Sequence, residues 1–160
     1  MRYSAAAGLY VTGLYAYIAD NDIEECGYMA NYVGGIYMVP NFAEDKWETP
    51  RGGHQILYNT VRKSGRAVIG IASCDNYMLH EYGQWPFLAM DIGYNTFSDG
   101  SICARDTGTV YFHGATVGDD RAFTRFHNNV IYNTWVAVGS GFQVYWDNWI
   151  HNAYMYDCIA

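Results

Sequence analysis

Positive charge is scarce in this chain. Nine Lys and Arg stand against sixteen Asp and Glu, for a net charge of −7. A phosphate-binding surface needs a basic patch, and no Lys/Arg cluster provides one, which argues against nucleic acid as a partner. Long apolar runs are missing too. No stretch approaches the roughly 18 residues of a membrane-spanning helix, and Met1 to Val11 is too short and too mixed for a secretion signal. No Cys-x-x-Cys spacing of the kind that holds a metal occurs among Cys26, Cys74, Cys103 and Cys158. Two disulfides or a set of buried free thiols both remain open, with free thiols favoured for a stacked core. Proline is rare, at three copies, and no long helical periodicity is present.

What is abundant is apolar, aromatic and small. The chain is 51% hydrophobic, with 16 Tyr, 5 Trp and 17 Gly, which is ample material for a core with many tight turns. At 160 residues it reads as a single domain, 1–160. A short pattern recurs in it: apolar, Tyr, apolar. The copies are Leu9-Tyr10-Val11, Ile36-Tyr37-Met38, Val110-Tyr111-Phe112 and Val144-Tyr145-Trp146. Such alternation marks a short strand with one buried face.

A second pattern, apolar-x-x-Asn-x-apolar, reads Ile18-Asn21-Ile23, Ile56-Asn59-Val61, Ile92-Asn95-Phe97 and Phe126-Asn129-Ile131. A last copy, Tyr154-Asp157-Ile159, carries Asp for Asn. These positions step by 38, 36, 34 and 28 residues, and where both patterns occur the tyrosine follows the asparagine by 16. A fixed internal period of this size means a repeat architecture. Each repeat buries its apolar face only against its neighbours. The expectation is an all-β parallel solenoid, one repeat per coil, of about four to five coils with loop excursions. The second coil is irregular, with Ala67-Val68-Ile69-Gly70-Ile71 and no tyrosine in register.

Alternation assigns faces. Leu9, Ile36, Val110 and Val144, with Val11, Met38, Phe112 and Trp146, form the interior. Tyr10, Tyr37, Tyr111 and Tyr145 point outward, followed by Thr12, Val39, His113 and Asp147. Equivalent positions in adjacent coils lie about 4.8 Å apart, so His113 and Asp147 are expected side by side. The repeated asparagines, and Asp157 by the same logic, are expected to form a structural ladder of coil-to-coil hydrogen bonds. Two polar-aromatic stretches, Val39 to His54 and Ser73 to Pro86, read as loops. They supply Trp47, His80, Glu81 and Trp85 as candidate binding residues, with capping of the stack as the competing role for the tryptophans.

The segments Asn-Thr-Val-Arg-Lys-Ser-Gly-Arg (59–66), Asp-Thr-Gly-Thr-Val-Tyr (106–111) and Val-Tyr-Trp-Asp-Asn (144–148) resemble the right-handed parallel β-helix proteins of the pectate-lyase-like superfamily. The nearest resemblance is to its β-helical glycoside hydrolases, in which an Asp-x-Gly-x-Ile-Tyr segment precedes an Ile-Tyr-Leu-Asp-Asn segment by one coil. It implies Asp106 and Asp147 as a catalytic carboxylate pair, with Trp146 replacing the usual aliphatic residue. It also implies an extracellular or cell-envelope location and an oligo- or polysaccharide partner. The chain reads as incomplete at both ends, with remaining coils of a longer chain or another protomer capping it.

Glycoside hydrolysis needs two carboxyl groups flanking the scissile bond. His113 would tune one of them or bind a sugar hydroxyl, and Tyr37, Tyr111 and Tyr145 would offer rings and hydroxyls to pyranose faces. The structural alternatives are an Asx turn for Asp106, a solvated strand end for Asp147 and a solvent-facing histidine. Hydrolysis needs no cofactor. A polysaccharide lyase is the second reading: Asp20, Asp22, Glu24 and Glu25 would bind Ca²⁺, and Arg62, Lys63 or Arg66 would act as base. The third is a non-catalytic carbohydrate-binding or adhesin-like module.

Overall fold

The apolar-x-x-Asn-x-apolar pattern crosses a corner: its first apolar residue belongs to one sheet and its last to the next. A computed structural model describes residues 1–12, 15–29, 33–39, 51–72, 88–113, 123–135, 141–147 and 153–160. These contain fifteen strands and no helix. In chain order they are β1 (Arg2–Ser4), β2 (Leu9–Thr12), β3 (Tyr17–Ala19), β4 (Asp22–Cys26), β5 (Ile36–Val39), β6 (Arg51–Leu57), β7 (Thr60–Ser64) and β8 (Ile69–Ala72). They continue with β9 (Leu88–Gly93), β10 (Thr96–Gly100), β11 (Thr107–His113), β12 (Thr124–His127), β13 (Val130–Thr134), β14 (Gly141–Asp147) and β15 (Ala153–Tyr156).

Every third strand joins the same sheet. The first sheet runs β1-β4-β7-β10-β13, the second β2-β5-β8-β11-β14 and the third β3-β6-β9-β12-β15. The pairings between these strands are parallel. Three stacked parallel sheets of five strands are the arrangement of a β-helix-like solenoid. The tyrosine pattern marks the second sheet. The asparagine pattern marks the corner between the third and the first.

That corner repeats its backbone. Asp20, Tyr58, Tyr94, Asn128 and Asp157 all adopt left-handed conformations, with φ between 51° and 59°. Such a conformation disfavours residues with a Cβ by roughly 1–2 kcal/mol, so the turn needs compensation. The residue after each supplies it. Asn21 donates through Nδ2 to Oδ1 of Asn59 at 2.9 Å, Asn59 to Asn95 at 3.0 Å and Asn95 to Asn129 at 3.0 Å. The same Oδ1 atoms accept the backbone N–H of the residue one turn earlier. The expected ladder is present, with one correction. Asn129 is level with Cys158, because Val130 bridges Ile159 and His127 pairs with Tyr156. Asp157 therefore takes the left-handed position, and the Cys158 thiol points to the Phe126 carbonyl.

Inside, side chains stack in columns set by strand register. Ile23, Val61, Phe97 and Ile131 line the first sheet. Ile36, Ile69 and Val110, beside Met38, Ile71 and Phe112, line the second, and Ile18, Ile56, Ile92 and Phe126 the third. All belong to one buried cluster, and each large side chain removed from water contributes about 1.5–3 kcal/mol. Trp146 finds its place here, stacked on Phe112 at 4.3 Å and 12°.

Three further expectations change. The stretch from Val39 to His54 is not all loop, since β6 begins at Arg51. His54 is buried, and its Nδ1 accepts the amide N–H of Ala16. Free thiols are present, but among the described cysteines only Cys26 is buried. Cys103 is exposed and Cys158 intermediate, while Cys74 lies outside the described residues. The acidic cluster is an ion-pair ladder across strands. Arg62 binds Asp22 at 2.7 Å and Glu24 at 3.2 Å, Lys63 binds Glu24 at 2.7 Å, and Arg2 reaches Glu24 at 3.2 Å. The Lys63 ammonium, followed by Arg62, holds the Glu24 carboxyl below its usual range against the opposing effect of burial. Asp20 sits at the left-handed corner.

Asn95→Ala should cost about 3 kcal/mol or more, because it orphans several buried partners at once, each worth roughly 1–3 kcal/mol. Urea denaturation should show it as a lower midpoint. His54 gives a pH test. Burial holds its pKa below the ordinary value, so the folded state favours the neutral ring. Its contribution is complete above about pH 6.5, the unfolded value, and declines as the pH falls toward the lower folded value. Urea midpoints should therefore drop on acidification below that pH, and His54→Asn should flatten the drop.

Candidate functional site

The strongest convergence of polar groups lies on the outer face of the second sheet, where β11 and β14 pair. Their register sets Tyr111 opposite Tyr145 and His113 opposite Asp147, as the alternation implies. Asp106 precedes β11 in a left-handed turn, φ 49°.

Side-chain contacts run diagonally across this register. The Tyr111 hydroxyl donates to Oδ2 of Asp147 at 2.8 Å, and the Tyr145 hydroxyl to Oδ1 of Asp106 at 3.3 Å. The two rings lie 5.4 Å apart. Each phenol thus belongs to one carboxylate, but Tyr145 feels both: after burial, the charges of Asp147 and Asp106 raise its pKa. The two aspartates are thus held on one face by neighbouring phenols. Tyr111 is more strongly affected. Burial first, then the hydrogen bond and charge of Asp147, push its phenol far above the usual range.

These contacts change how the tyrosines are read. Tyr111 is only 6% exposed, so it is a buried bracket for Asp147 and not part of an open stacking ridge. Tyr145 and Tyr37 are half-buried, and Tyr10 is the ring on this face that stands out into solvent. His113 lies against the Tyr111 ring at 5.8 Å, and Asp147 takes its hydrogen bond from Tyr111 rather than from His113. Trp47, His80, Glu81 and Trp85 lie outside the described residues.

Arg66, considered from sequence only as a base for β-elimination, belongs to this site. The tyrosine column has a gap at Gly70, which register places between Tyr37 and Tyr111. A Cβ there would already come within 3.1 Å of the Tyr37 ring. The Arg66 guanidinium sits over the Tyr111 ring at 5.2 Å from its centroid, about the ring-to-ring spacing on the other side. A planar cation thus takes the place of the missing ring. Arg66 also donates to the Asp106 carbonyl at 3.4 Å. With Tyr37, Gly70, Tyr111 and His113 it lines a small, mostly apolar cavity of about 10 Å³. The absence of tyrosine from the second repeat was the sequence signal for this substitution.

Two other features qualify the candidate chemistry. Among the described residues no group of three or more His, Cys, Asp or Glu could hold a metal ion. No helix there is long and apolar enough to cross a membrane. No family model, curated protein or solved structure matches the chain.

Tyr111→Phe removes a donor to a carboxylate and should cost about 1.5–3 kcal/mol at neutral pH. The folded pKa of Tyr111 is raised, so its neutral form stabilises the fold fully below about pH 10, the unfolded value. That contribution is lost as pH rises through the folded value. Urea midpoints measured at stepped alkaline pH should fall less steeply in Tyr111→Phe than in the parent.

Proposed function

We propose that this protein is a carbohydrate-active, right-handed parallel β-helix of the pectate-lyase-like kind, a single domain of about four to five coils, that hydrolyses glycosidic bonds with Asp106 and Asp147. The reading rests on the segment resemblance, and one observation supports it: Asp147 and Asp106 are held by neighbouring phenols, Tyr111 and Tyr145, whose rings lie 5.4 Å apart on one outer face. Glycoside hydrolysis asks for two carboxyl groups facing a common gap. Asp147 is the fixed member, held by the buried Tyr111 hydroxyl and suited to act as nucleophile or base. Asp106 is exposed at a turn and takes the position of the acid in this pair. His113, Tyr37 and Tyr145 surround the gap and meet the sugar, with Arg66 bracing the Asp106 turn. The substrate is an oligo- or polysaccharide outside the cell or in its envelope, and no cofactor enters the reaction.

A second reading, β-elimination, draws on the position of Arg66 beside Asp106. It is weaker, because Arg62 and Lys63 are engaged in ion pairs and the acidic cluster proposed for Ca²⁺ is occupied by those same cations.

The deciding experiment incubates the protein with a panel of neutral and acidic polysaccharides and follows reducing ends and unsaturated products. Asp106→Asn and Asp147→Asn should each lower hydrolysis by about 10²–10⁴-fold, with far-UV circular dichroism unchanged. Ca²⁺-dependent unsaturated products would establish the lyase instead. Glycan binding with no turnover in the parent, unchanged in both variants, would leave a binding module.

A further inference from the structure

The left-handed corner between the third and first sheets carries a feature that the hydrolase reading does not use. In three of its turns the left-handed position holds Asp20, Asn128 and Asp157, residue types whose short polar side chains tolerate that conformation. In the two turns between Asp20 and Asn128 it holds Tyr58 and Tyr94, at φ 59° and 58°. A bulky residue is out of place there. The ladder bonds that support the turn come from the next position, Asn59 and Asn95, so local structure gives no reason for tyrosine. A backbone cost accepted in two adjacent turns points to a use for the side chains.

The two rings are placed as a pair. Strand register puts Leu57 beside Gly93, so Tyr58 and Tyr94 follow at the same level of adjacent turns. Their rings stack with centroids 5.1 Å apart and planes at 11°. His127, folded back over Gly93 to meet Asp91 at 2.7 Å, abuts Tyr94 edge-on at 5.3 Å and 88°. Both tyrosines still keep about half their surface in water, at 55% and 49% exposure. Two other cross-strand tyrosine pairs differ on both counts. Tyr10 and Tyr37 lie at 5.7 Å and 39°, Tyr111 and Tyr145 at 5.4 Å and 48°. Each of those pairs has a ring withdrawn from solvent, since Tyr37 is half-buried and Tyr111 buried.

We propose that Tyr58 and Tyr94 form an oxidative cross-linking site, joined by one carbon–carbon bond when a haem peroxidase and hydrogen peroxide act on the folded protein. One electron and the hydroxyl proton leave each phenol. Hydrogen peroxide takes up both electrons and both protons and becomes two waters. Each phenoxyl radical carries spin on the ring carbons beside the one that bears oxygen, the Cε atoms, and one Cε of Tyr58 bonds to one Cε of Tyr94. The hydrogen on each of those carbons then passes to its own oxygen, which restores both phenols. Coupling needs the stacked rings to turn edge to edge, a motion that exposed side chains make in picoseconds to nanoseconds. Held side by side, the pair reacts within one molecule and does not wait for a collision of two. The new bond joins positions 36 residues apart in sequence. It staples two successive turns at their corner and removes freedom from the unfolded chain, as a disulfide does.

Treatment of the dilute protein with a haem peroxidase and hydrogen peroxide, under conditions that couple free tyrosine, tests the proposal. The expected product is a monomer lighter by two hydrogens, with the fluorescence of coupled phenols. Proteolysis and mass spectrometry should find one cross-linked peptide pair, containing Tyr58 and Tyr94. Tyr58→Phe and Tyr94→Phe keep the stacked rings but lack one phenol, and each should lose the product. Tyr10→Phe and Asp106→Asn/Asp147→Asn should keep it, whether or not any glycan is hydrolysed. The cross-linked monomer should also unfold at a higher urea midpoint than the untreated parent. Coupling at another tyrosine pair, coupling only between molecules, or no coupling at all overturns the proposal. A product that persists in either phenylalanine variant overturns it too. An unchanged urea midpoint in the cross-linked monomer would overturn the stapling role.

Discussion

Each corner between the third and first sheets forces a residue with a side chain into a left-handed conformation, and five successive turns of chain do the same at the same place. A single such turn would be a local penalty. Stacked, the turns bring Asn21, Asn59, Asn95 and Asn129 within hydrogen-bond reach of one another. The Asn59, Asn95 and Asn129 amides then satisfy backbone groups of the preceding turn, and Asn21 and Asn59 also donate to a carbonyl of their own turn. The corner is stable only as a stack. Strand register follows from it, because a slip by one residue would both break the ladder and turn the apolar columns outward. The candidate site depends on the same register, since its diagonal contacts join residues of adjacent strands.

The two outward faces use that register differently. On the second sheet, crossing phenol–carboxylate bonds tie β11 to β14, and an arginine fills the place of a missing tyrosine. On the third sheet, His127 folds back over Gly93 onto Asp91, beside the stacked and exposed rings of Tyr58 and Tyr94. The first sheet uses its outer face for ion pairs, in which Arg2, Arg62 and Lys63 gather around a buried Glu24 and an exposed Asp22. The exposed pairs contribute little each, but they offset carboxylate charge in a chain with seven excess negative charges. Burial in the core therefore carries the stability, and the outer faces are available for recognition.

The repeat was legible in sequence because the physics that creates it is periodic. Alternation in Val110-Tyr111-Phe112 and spacing between Asn59, Asn95 and Asn129 report a strand and a turn that must recur in register. The pairing of His113 with Asp147 followed from the same rule. The end of the ladder was misplaced by one residue, because Asp157 resembles asparagine and cysteine does not. Only pairing of His127 with Tyr156 reveals that Cys158 is the equivalent. Arg66 at the tyrosine column was hidden for a related reason: a guanidinium that replaces a ring is neither at the ring's sequence position nor of its type. Asp91 and His127 are 36 residues apart in sequence, in positions where neither repeats a motif.

The sequence alone determined that the chain is an all-β stack of parallel strands, which side chains face inward and that His113 and Asp147 are neighbours on an outer face. These depend on local alternation and on a fixed period. The tertiary structure decided which partners those groups take. It closed Tyr111 over Asp147, set Tyr145 against Asp106, brought Arg66 into the gap at Gly70 and folded His127 back onto Asp91. Such choices rest on the reach and direction of side chains across neighbouring strands, which depend on packing in three dimensions and leave no period in the sequence.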